Sequence, residues 1–466
     1  LLTLTMLVLD FRIMFLFIVP IIFIQSSLGQ FSSTGYISVF RIAPLFKGVT
    51  FIMLLLNISC AIIYSVYTAY PLIYFLLSLT SNFPWLTCNN SWNSKNCTEI
   101  SNAIMLTGSV PLIILLVLLL RISFLPKALG AYQKLFSIDT APLSEFHFWI
   151  MSSSLMILSL GAGWGGTLTL ASFNDFKENT THYSVLICGC HFLITIFTTL
   201  FSYIIVECKR GMQYFCFHIK YLYVPYPYVF RSLEAQRLWM VLFYLMLFLV
   251  QFNNVVIQVF ATLTSLFDEY KMLRQYKRRV SIGGCTLLFL ASILFNINDF
   301  FELWHQYASL TRGGICLVEL FVVFWVYGRS RFQRDIQFML SHRIPSWIFF
   351  VIRFVTPLFM IYLMVRNFSF SFHNFKVPDW GVVLLYMVKI VPWILIPIYI
   401  VYQLISTTGP LILRIKRSIR PTDWYPADAR NHQKYQDLLD ASDTTQQLLE
   451  FTYDLEDDFY DCQFIN

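Results

Sequence analysis

The residues with the clearest chemical potential lie at a cluster of glycines inside an apolar segment. Glycines occupy positions 161, 163, 165 and 166, shortly after Ser159. Because each glycine costs a helix about 1 kcal/mol relative to alanine, the cluster predicts unwound backbone within the segment. Unwound backbone at membrane depth persists where it is buried in protein or lines a wet cavity, and broken helices of this kind form the substrate and ion sites of secondary transporters. The alternative is a continuous helix whose small residues allow a neighbouring helix to pack closely.

The other reactive residue types do not form a catalytic set. We find no nucleophile–base pair and no phosphate-binding loop in the sequence. Cys188, Cys190 and His191 carry metal-binding side chains, but they lie in an apolar run without a fourth ligand, which favours a structural role. The sequence therefore predicts that the protein is not an enzyme, has no organic cofactor and binds no metal except sodium.

The composition indicates a membrane protein that crosses the bilayer several times. Of the 466 residues, 57% are hydrophobic and only 13% are charged, whereas soluble domains have about 25% charged residues. The net charge of +7 is explained by basic cytoplasmic loops. The predicted surroundings are therefore lipid, and nucleic acid is not a predicted partner.

Ten apolar runs are long enough to cross a bilayer as helices. They lie near residues 11–29, 52–80, 105–124, 148–170, 184–207, 238–260, 281–298, 313–328, 346–366 and 382–405. Residues 1–405 are thus predicted to form a transmembrane domain. Residues 406–466 are polar, end in acidic side chains, and are predicted to form a cytoplasmic, partly disordered tail.

The loop between the second and third runs has the features of an extracellular segment. Cys88 and Cys97 flank a polar stretch with two N-glycosylation acceptors, Asn89 and Asn96. A cysteine pair beside such acceptors is typical of an oxidising face, so we predict a disulfide and glycosylation here. A third acceptor motif, at Asn57, lies inside an apolar run and cannot be modified there.

Basic residues predict the orientation of the runs and reveal a conflict in their number. Basic clusters at 271–279, 329–343 and 414–420 should lie in the cytoplasm. Counting the spans backwards from these clusters places residues 81–104 in the cytoplasm as well. The cysteine pair and the glycosylation acceptors of that loop, however, predict an extracellular position. One further span between Thr98 and Leu106 and another before Leu1 resolve the conflict. Parity therefore predicts twelve spans in the intact architecture, two of which this sequence lacks.

The order of short motifs along the chain resembles the neurotransmitter:sodium symporter family. Ser-Leu-Gly-Gln-Phe at 27–31 resembles the end of the family's second helix, and residues 159–174 resemble its broken sixth helix. Asp-Glu-Tyr at 268–270 and Trp-Val-Tyr-Gly at 325–328 resemble the ends of the eighth and tenth. The resemblance implies an all-α, inverted-repeat transporter fold with broken helices, here with the first and fourth of its helices absent.

The resemblance also implies a substrate and two sodium ions between the first, third, sixth and eighth helices. The implied substrate positions are Tyr64, Leu158, Ser159, Gly161, Trp164 and Asn254. The implied sodium positions are Ser159, His191, Val250, Asn253 and Asn254, and the implied chloride positions are Ser159, His191 and Thr195. Packing for Tyr64 and interhelical hydrogen bonding for the two asparagines are the alternative roles.

Several positions depart from the family pattern. Asn253 replaces an aspartate, so its amide oxygen can coordinate sodium without supplying a counter-charge. At the chloride site, Asp10, Leu155 and His191 replace a tyrosine, a glutamine and an asparagine. Asp10 either provides a fixed carboxylate in place of chloride or is a solvated charge. The family has an acidic outer gate on its tenth helix, and the corresponding positions here are Trp304 and His305, so a charged gate is lost.

Two functional hypotheses from different classes follow. The first is sodium-coupled symport of a small amino acid, neurotransmitter or related osmolyte across the plasma membrane, with chloride as a second candidate ion. The broken segment, Tyr64 and Ser159 favour it. The second is a non-transporting homologue that acts as a membrane binding or assembly protein, which the departures favour. Homo-oligomerisation is left open by the sequence.

Overall fold

The computed structural model describes residues 11–78, 104–125, 128–135, 159–208, 225–231, 233–294, 298–370, 387 and 390–441. Within these ranges the regular secondary structure is helical, without strands. Several predicted positions lie outside the described residues, so their roles stay predictions: Asp10, Cys88, Asn89, Asn96, Cys97, Leu155 and Leu158.

The described helices are numbered in chain order. The first group is α1 (Phe11–Ser32), α2 (Tyr36–Val39), α3 (Gly48–Ser78), α4 (Ile104–Ser123), α5 (Ala128–Leu135), α6 (Gly166–Ala171) and α7 (Thr180–Cys208). The second group is α8 (Pro225–Arg231), α9 (Gln236–Glu269), α10 (Lys271–Gln275), α11 (Lys277–Leu294), α12 (Asn298–Phe321), α13 (Arg329–Leu340), α14 (Ser346–Phe350), α15 (Thr356–Phe370), α16 (Leu395–Ser406) and α17 (Leu411–Ile419). A π-helical turn, Val322–Gly328, joins α12 to α13, and another, Val351–Val355, joins α14 to α15.

Membrane-spanning helices make up much of the described chain. Those long and apolar enough to cross a bilayer are Phe11–Ser32, Pro44–Leu76, Thr180–Ile205, Gln236–Glu269 and Leu310–Leu340. A sixth candidate is the pair Val391–Ser406 and Leu411–Ile419, which bends by 114°. Shorter apolar helices, Val110–Ser123 and Ser346–Tyr362, coincide with two more of the predicted runs. The protein is an all-α, multi-pass membrane protein, and the counts of ten and twelve spans stay predictions.

The outer surface carries apolar side chains that a soluble protein would bury. On α11, Leu287 is 69% exposed and Phe289 is 62% exposed. Comparable residues lie on other helices, such as Ile113 of α4 and Leu358 of α15. Large contiguous apolar surfaces are rare on soluble monomers, so these faces are suited to contact lipid acyl chains.

Helix α1 and the short helix α6 approach each other almost backbone to backbone. A Cβ atom placed on Gly29 of α1 would lie 2.0 Å from the carbonyl oxygen of Leu168. Only glycine fits this contact, which is the close small-residue packing expected between membrane helices. The contact fixes the second half of the glycine-rich segment against the core of the protein.

The segment after α17 packs against α13 and against the end of α1 that carries Phe31. Buried Asp335 of α13 accepts hydrogen bonds from Tyr327 (2.5 Å), from Trp424 Nε1 (3.2 Å) and from Tyr435. Trp424 also stacks on Phe31 of α1, with ring centroids 5.3 Å apart. Buried aromatic rings and the carboxylate therefore hold this part of the tail in a defined position, and partial disorder of the segment 406–466 stays a prediction. Residues 442–466 lie outside the described residues.

Asp335→Asn should weaken this docking. The amide presents an N–H₂ group to one of the three donors, and an unsatisfied buried polar group costs about 1–3 kcal/mol. We expect a lower midpoint of thermal unfolding in detergent and faster proteolytic cleavage after residue 420. Asp437→Asn is the matched control, because Asp437 lies exposed on the same segment. Equal behaviour of the two variants would contradict the docking role.

Candidate functional site

The glycine cluster forms an unwound segment between Ser159 and α6. Gly161, Gly163 and Gly165 have φ angles of 68°, 78° and 79°, in the left-handed region that L side chains rarely adopt. Residues 160–165 are non-helical, and the helix resumes at Gly166. The predicted break is confirmed over these residues, and the alternative of a continuous helix is wrong there. The segment preceding Ser159 lies outside the described residues.

Three neighbouring elements hold the unwound segment. Asn57 of α3 donates a hydrogen bond from Nδ2 to the carbonyl oxygen of Trp164 at 2.5 Å. A Cβ atom on Gly163 would lie 2.4 Å from the carbonyl oxygen of Arg312 in α12. A Cβ atom on Gly165 would lie 2.6 Å from the ring of Tyr36 in α2. The glycines are therefore required both for the backbone angles and for the close approach of α2 and α12.

Asn57 is a site residue that the sequence reasoning missed. It is completely buried, and its Nδ2 also donates to the carbonyl oxygen of Met53 at 2.9 Å. The available signal was an amide inside an apolar run, because polar residues within membrane helices usually have a function. From the sequence alone, Asn57 is only a glycosylation motif that cannot be modified inside an apolar run.

Tyr64 and Trp164, two of the predicted substrate positions, both interact with a third residue, Arg312. The guanidinium carbon of Arg312 lies 5.3 Å from the centroid of the Trp164 ring, and Arg312 also interacts electrostatically with Tyr64. Gly161 packs under the indole, since its Cβ would lie 2.5 Å from Trp164 Nε1. The sequence reasoning missed Arg312 because the predicted span began at residue 313, whereas α12 begins at Asn298.

The predicted ion positions Ser159 and His191 are also adjacent. Ser159 Oγ lies 3.0 Å from His191 Nε2, and the tautomer of the histidine decides which atom donates. Thr195 donates its hydroxyl hydrogen to the backbone carbonyl of His191 at 2.9 Å. The three predicted chloride positions thus form one cluster at the start of the unwound segment, although their binding of an ion stays a prediction.

The described contacts of the unwound segment do not include the predicted sodium positions of α9. Val250 is 43% exposed, and Asn253 and Asn254 are partly exposed. The described hydrogen bond between α9 and α6, the helix that follows the unwound segment, joins Ser265 Oγ to Thr169 Oγ1 at 3.2 Å. Ser265 is about 16 Å further along the helix axis than Asn254. The sodium role of Val250, Asn253 and Asn254 stays a prediction.

A second polar contact in the membrane interior joins α1 to α12. Gln25 Nε2 donates to Glu319 Oε2 at 2.7 Å, and both side chains are buried. Interhelical hydrogen bonds of this kind hold membrane helices together where the hydrophobic effect does not act between them. Buried polar contacts thus occur both at the unwound segment, through Asn57, and between α1 and α12, through Gln25 and Glu319.

An unwound segment at membrane depth, enclosed by other helices and flanked by polar side chains, is the architecture of secondary transporters. The sequence profile described as the sodium:neurotransmitter symporter family matches residues 6–104 and 98–407. The chain belongs to this family, which confirms the resemblance seen in its motifs. Because the family comprises transporters, the prediction that the protein is not an enzyme is also confirmed.

Similar proteins include the sodium- and chloride-dependent neutral and basic amino acid transporter B(0+) of Homo sapiens and of Mus musculus. Each is 24% identical to this chain, over 90% and 91% of the chain respectively and 84% of the relative. The alignments run over 543 and 544 residues, more than the 466 of this chain. The relatives therefore contain stretches that have no counterpart here.

Gly163→Ala should damage the site while leaving the rest of the fold intact. The left-handed backbone costs a non-glycine residue roughly 1–2 kcal/mol, and the new methyl group would overlap the Arg312 carbonyl. We expect a lower unfolding midpoint and loss of ligand-induced stabilisation in a thermal-shift assay. The matched control is Gly189→Ala in α7, where an added Cβ meets nothing within 4 Å. The prediction fails if Gly163→Ala is as stable as Gly189→Ala.

Proposed function

We propose that this protein is a sodium-coupled symporter of a small amino acid or a related neurotransmitter or osmolyte, located in the plasma membrane. The observation that carries the proposal is the unwound segment of residues 160–165, enclosed by α2, α3 and α12. Unwound backbone exposes carbonyl and amide groups that a continuous helix would pair internally. At membrane depth these groups are useful for binding an ion and a polar substrate.

The substrate class rests on the pocket residues and on the relatives. Trp164 followed by two glycines resembles the amino-acid, glycine and GABA branches of the family. The named relatives are transporters of neutral and basic amino acids, which supports an amino acid as the substrate. Tyr64 and Trp164 provide aromatic surfaces that would exclude water from such a substrate.

The coupling ions are assigned by donor chemistry. The hydroxyl oxygen of Ser159 and the carbonyl oxygens of the unwound segment are hard ligands that suit Na⁺. His191, 3.0 Å from Ser159 Oγ, offers an N–H donor in one tautomer and would then suit a chloride ion at the same place. Chloride dependence is named for both relatives and is proposed here as the second coupling ion.

A second candidate function is a non-transporting homologue that binds partners in the membrane. It is favoured by Asn253, which supplies no counter-charge to sodium, and by Thr195, whose hydroxyl is already bonded within α7. Symport is the better proposal because three glycines keep the segment unwound, and unwound backbone at membrane depth forms the ion and substrate sites of secondary transporters.

Sodium-dependent uptake separates the two functions. The full-length product of the native transcript would be expressed in oocytes and tested with labelled leucine, glycine and GABA, in sodium and in choline medium. We expect uptake of at least one of them well above background only in sodium. Background uptake in both media, with the protein present at the cell surface, would refute symport and favour the binding role.

Ser159→Ala tests the ion site itself. Loss of one hard oxygen should raise the sodium concentration for half-maximal uptake roughly tenfold, about 1.4 kcal/mol. The control is Thr198→Ala, since the Thr198 hydroxyl donates within α7 to the carbonyl oxygens of Ile194 and Thr195 and lies about 10 Å along the helix from His191. An unchanged sodium dependence in Ser159→Ala would remove this serine from the ion site.

A further inference from the structure

Arg312 is the largest side chain that the fold buries completely, with an exposure of 1%. It lies on α12 at the level of the unwound segment, since its own carbonyl oxygen is the atom that Gly163 approaches. An arginine is charged at every physiological pH, and burying that charge among membrane helices is unfavourable. A buried arginine at this depth is therefore expected to have a function.

The contacts of Arg312 place its guanidinium group inside the proposed substrate site. Nη2 donates to the Cys60 sulfur at 3.3 Å, the plane lies over Trp164, and the Tyr64 hydroxyl interacts with it electrostatically. Cys60 and Tyr64 are one turn apart on α3, and Trp164 belongs to the unwound segment. The charge is thus held between the two elements that would enclose a substrate.

Glu319, on the same helix, has one carboxylate oxygen engaged elsewhere. Glu319 lies about 10 Å further along the axis of α12, two helical turns away, and accepts the hydrogen bond of Gln25 in α1. The groups named around Arg312, a thiol, an indole and a phenol, position the guanidinium plane. A planar guanidinium is the side chain that best matches the two oxygens of a carboxylate.

A second donor belongs to the indole that the guanidinium group covers. The Nε1 atom of Trp164 is buried and has no hydrogen-bond acceptor among the described residues. Buried donors are normally satisfied, so an unsatisfied one in a binding site indicates a group that arrives with a ligand. The chemistry of both donors, one charged and one neutral, favours an anionic ligand group.

We infer that Arg312 sets the charge selectivity of the substrate site, which takes a carboxylate-bearing substrate with a neutral or acidic side chain. The substrate carboxylate pairs with the guanidinium of Arg312. A basic amino acid, or an amine without a carboxylate, would bring a second positive charge to a buried cation and is rejected. The inference rests on the proposed function, because it takes the unwound segment to be the substrate site. It separates this protein from the two named relatives, whose names include basic amino acids.

The test is a panel of four labelled compounds that differ in charge. Oocytes expressing the full-length protein would be offered glutamate, leucine, lysine and tryptamine, each in sodium and in choline medium. We expect uptake of leucine, of glutamate or of both, and uptake of lysine and tryptamine at least tenfold lower. Equal uptake of lysine or tryptamine by the unmodified protein would overturn the inference, and this result requires no variant.

Variants of Arg312 assign the selectivity to this residue. In Arg312→Gln we expect the half-saturating concentration of the accepted carboxylate compound to rise at least tenfold and the discrimination against lysine to fall. Arg312→Lys keeps the charge and should keep the discrimination, with weaker binding because the fork geometry is lost. Arg331→Gln, an exposed arginine on α13, is the control and should resemble the unmodified protein. Unaltered discrimination in Arg312→Gln at the cell surface would overturn the inference.

The two media distinguish the failure of this inference from the failure of the proposed function. Sodium-dependent uptake without charge selection would leave symport standing and refute the role of Arg312. Charge-selective uptake that persists in choline would refute sodium coupling and support the role of Arg312. Background uptake of all four compounds would count against both.

Discussion

The hydrogen bond from Asn57 to the carbonyl oxygen of Trp164 is the interaction on which the proposed site depends. Unwinding a helix frees backbone groups that must be satisfied, because no water is available inside an apolar bundle. Asn57 satisfies the carbonyl oxygen at the middle of the break, and it is itself fixed to α3 by its bond to Met53. One amide thus fixes the position of the unwound segment relative to α3, the helix that also carries Cys60 and Tyr64.

The polar residues of the interior are arranged so that each lies at a junction between helices. Gln25 and Glu319 join α1 to α12, Asn57 joins α3 to the unwound segment, and Arg312 joins α12 to α3. Between membrane helices, such contacts and close packing replace the hydrophobic effect as the source of specificity.

The end of the bundle near Asp335, which is predicted to face the cytoplasm, is held by a different arrangement. Asp335 collects three hydrogen bonds from Tyr327, Trp424 and Tyr435, and aromatic rings from α1 and α13 surround the docked segment. The bond from Gly35 N–H to Asp268 and the ion pair between Lys47 and Glu269 hold the end of α9 against the connection between α1 and α3. These contacts join α1, α9, α13 and the segment after α17, so separating these elements would require the contacts to break.

The sequence by itself determined the membrane class, the positions of most spans and the break at the glycines. These features follow from composition, the length of apolar runs and the backbone preferences of glycine, all of which are local. The motif order was sufficient to identify the family, because it depends on many residues in one sequence order.

Only the tertiary structure decided which polar residues meet. Asn57 and Arg312 belong to helices distant in sequence from Gly161 and Trp164, and no local pattern pairs them. The docking of Trp424 and Tyr435 was likewise invisible, because a polar, charged segment predicts disorder unless its few aromatic residues have a partner surface. That surface, formed by Phe31 and Asp335, exists only after the helices pack, since contacts between remote residues are a property of the fold and not of the local sequence.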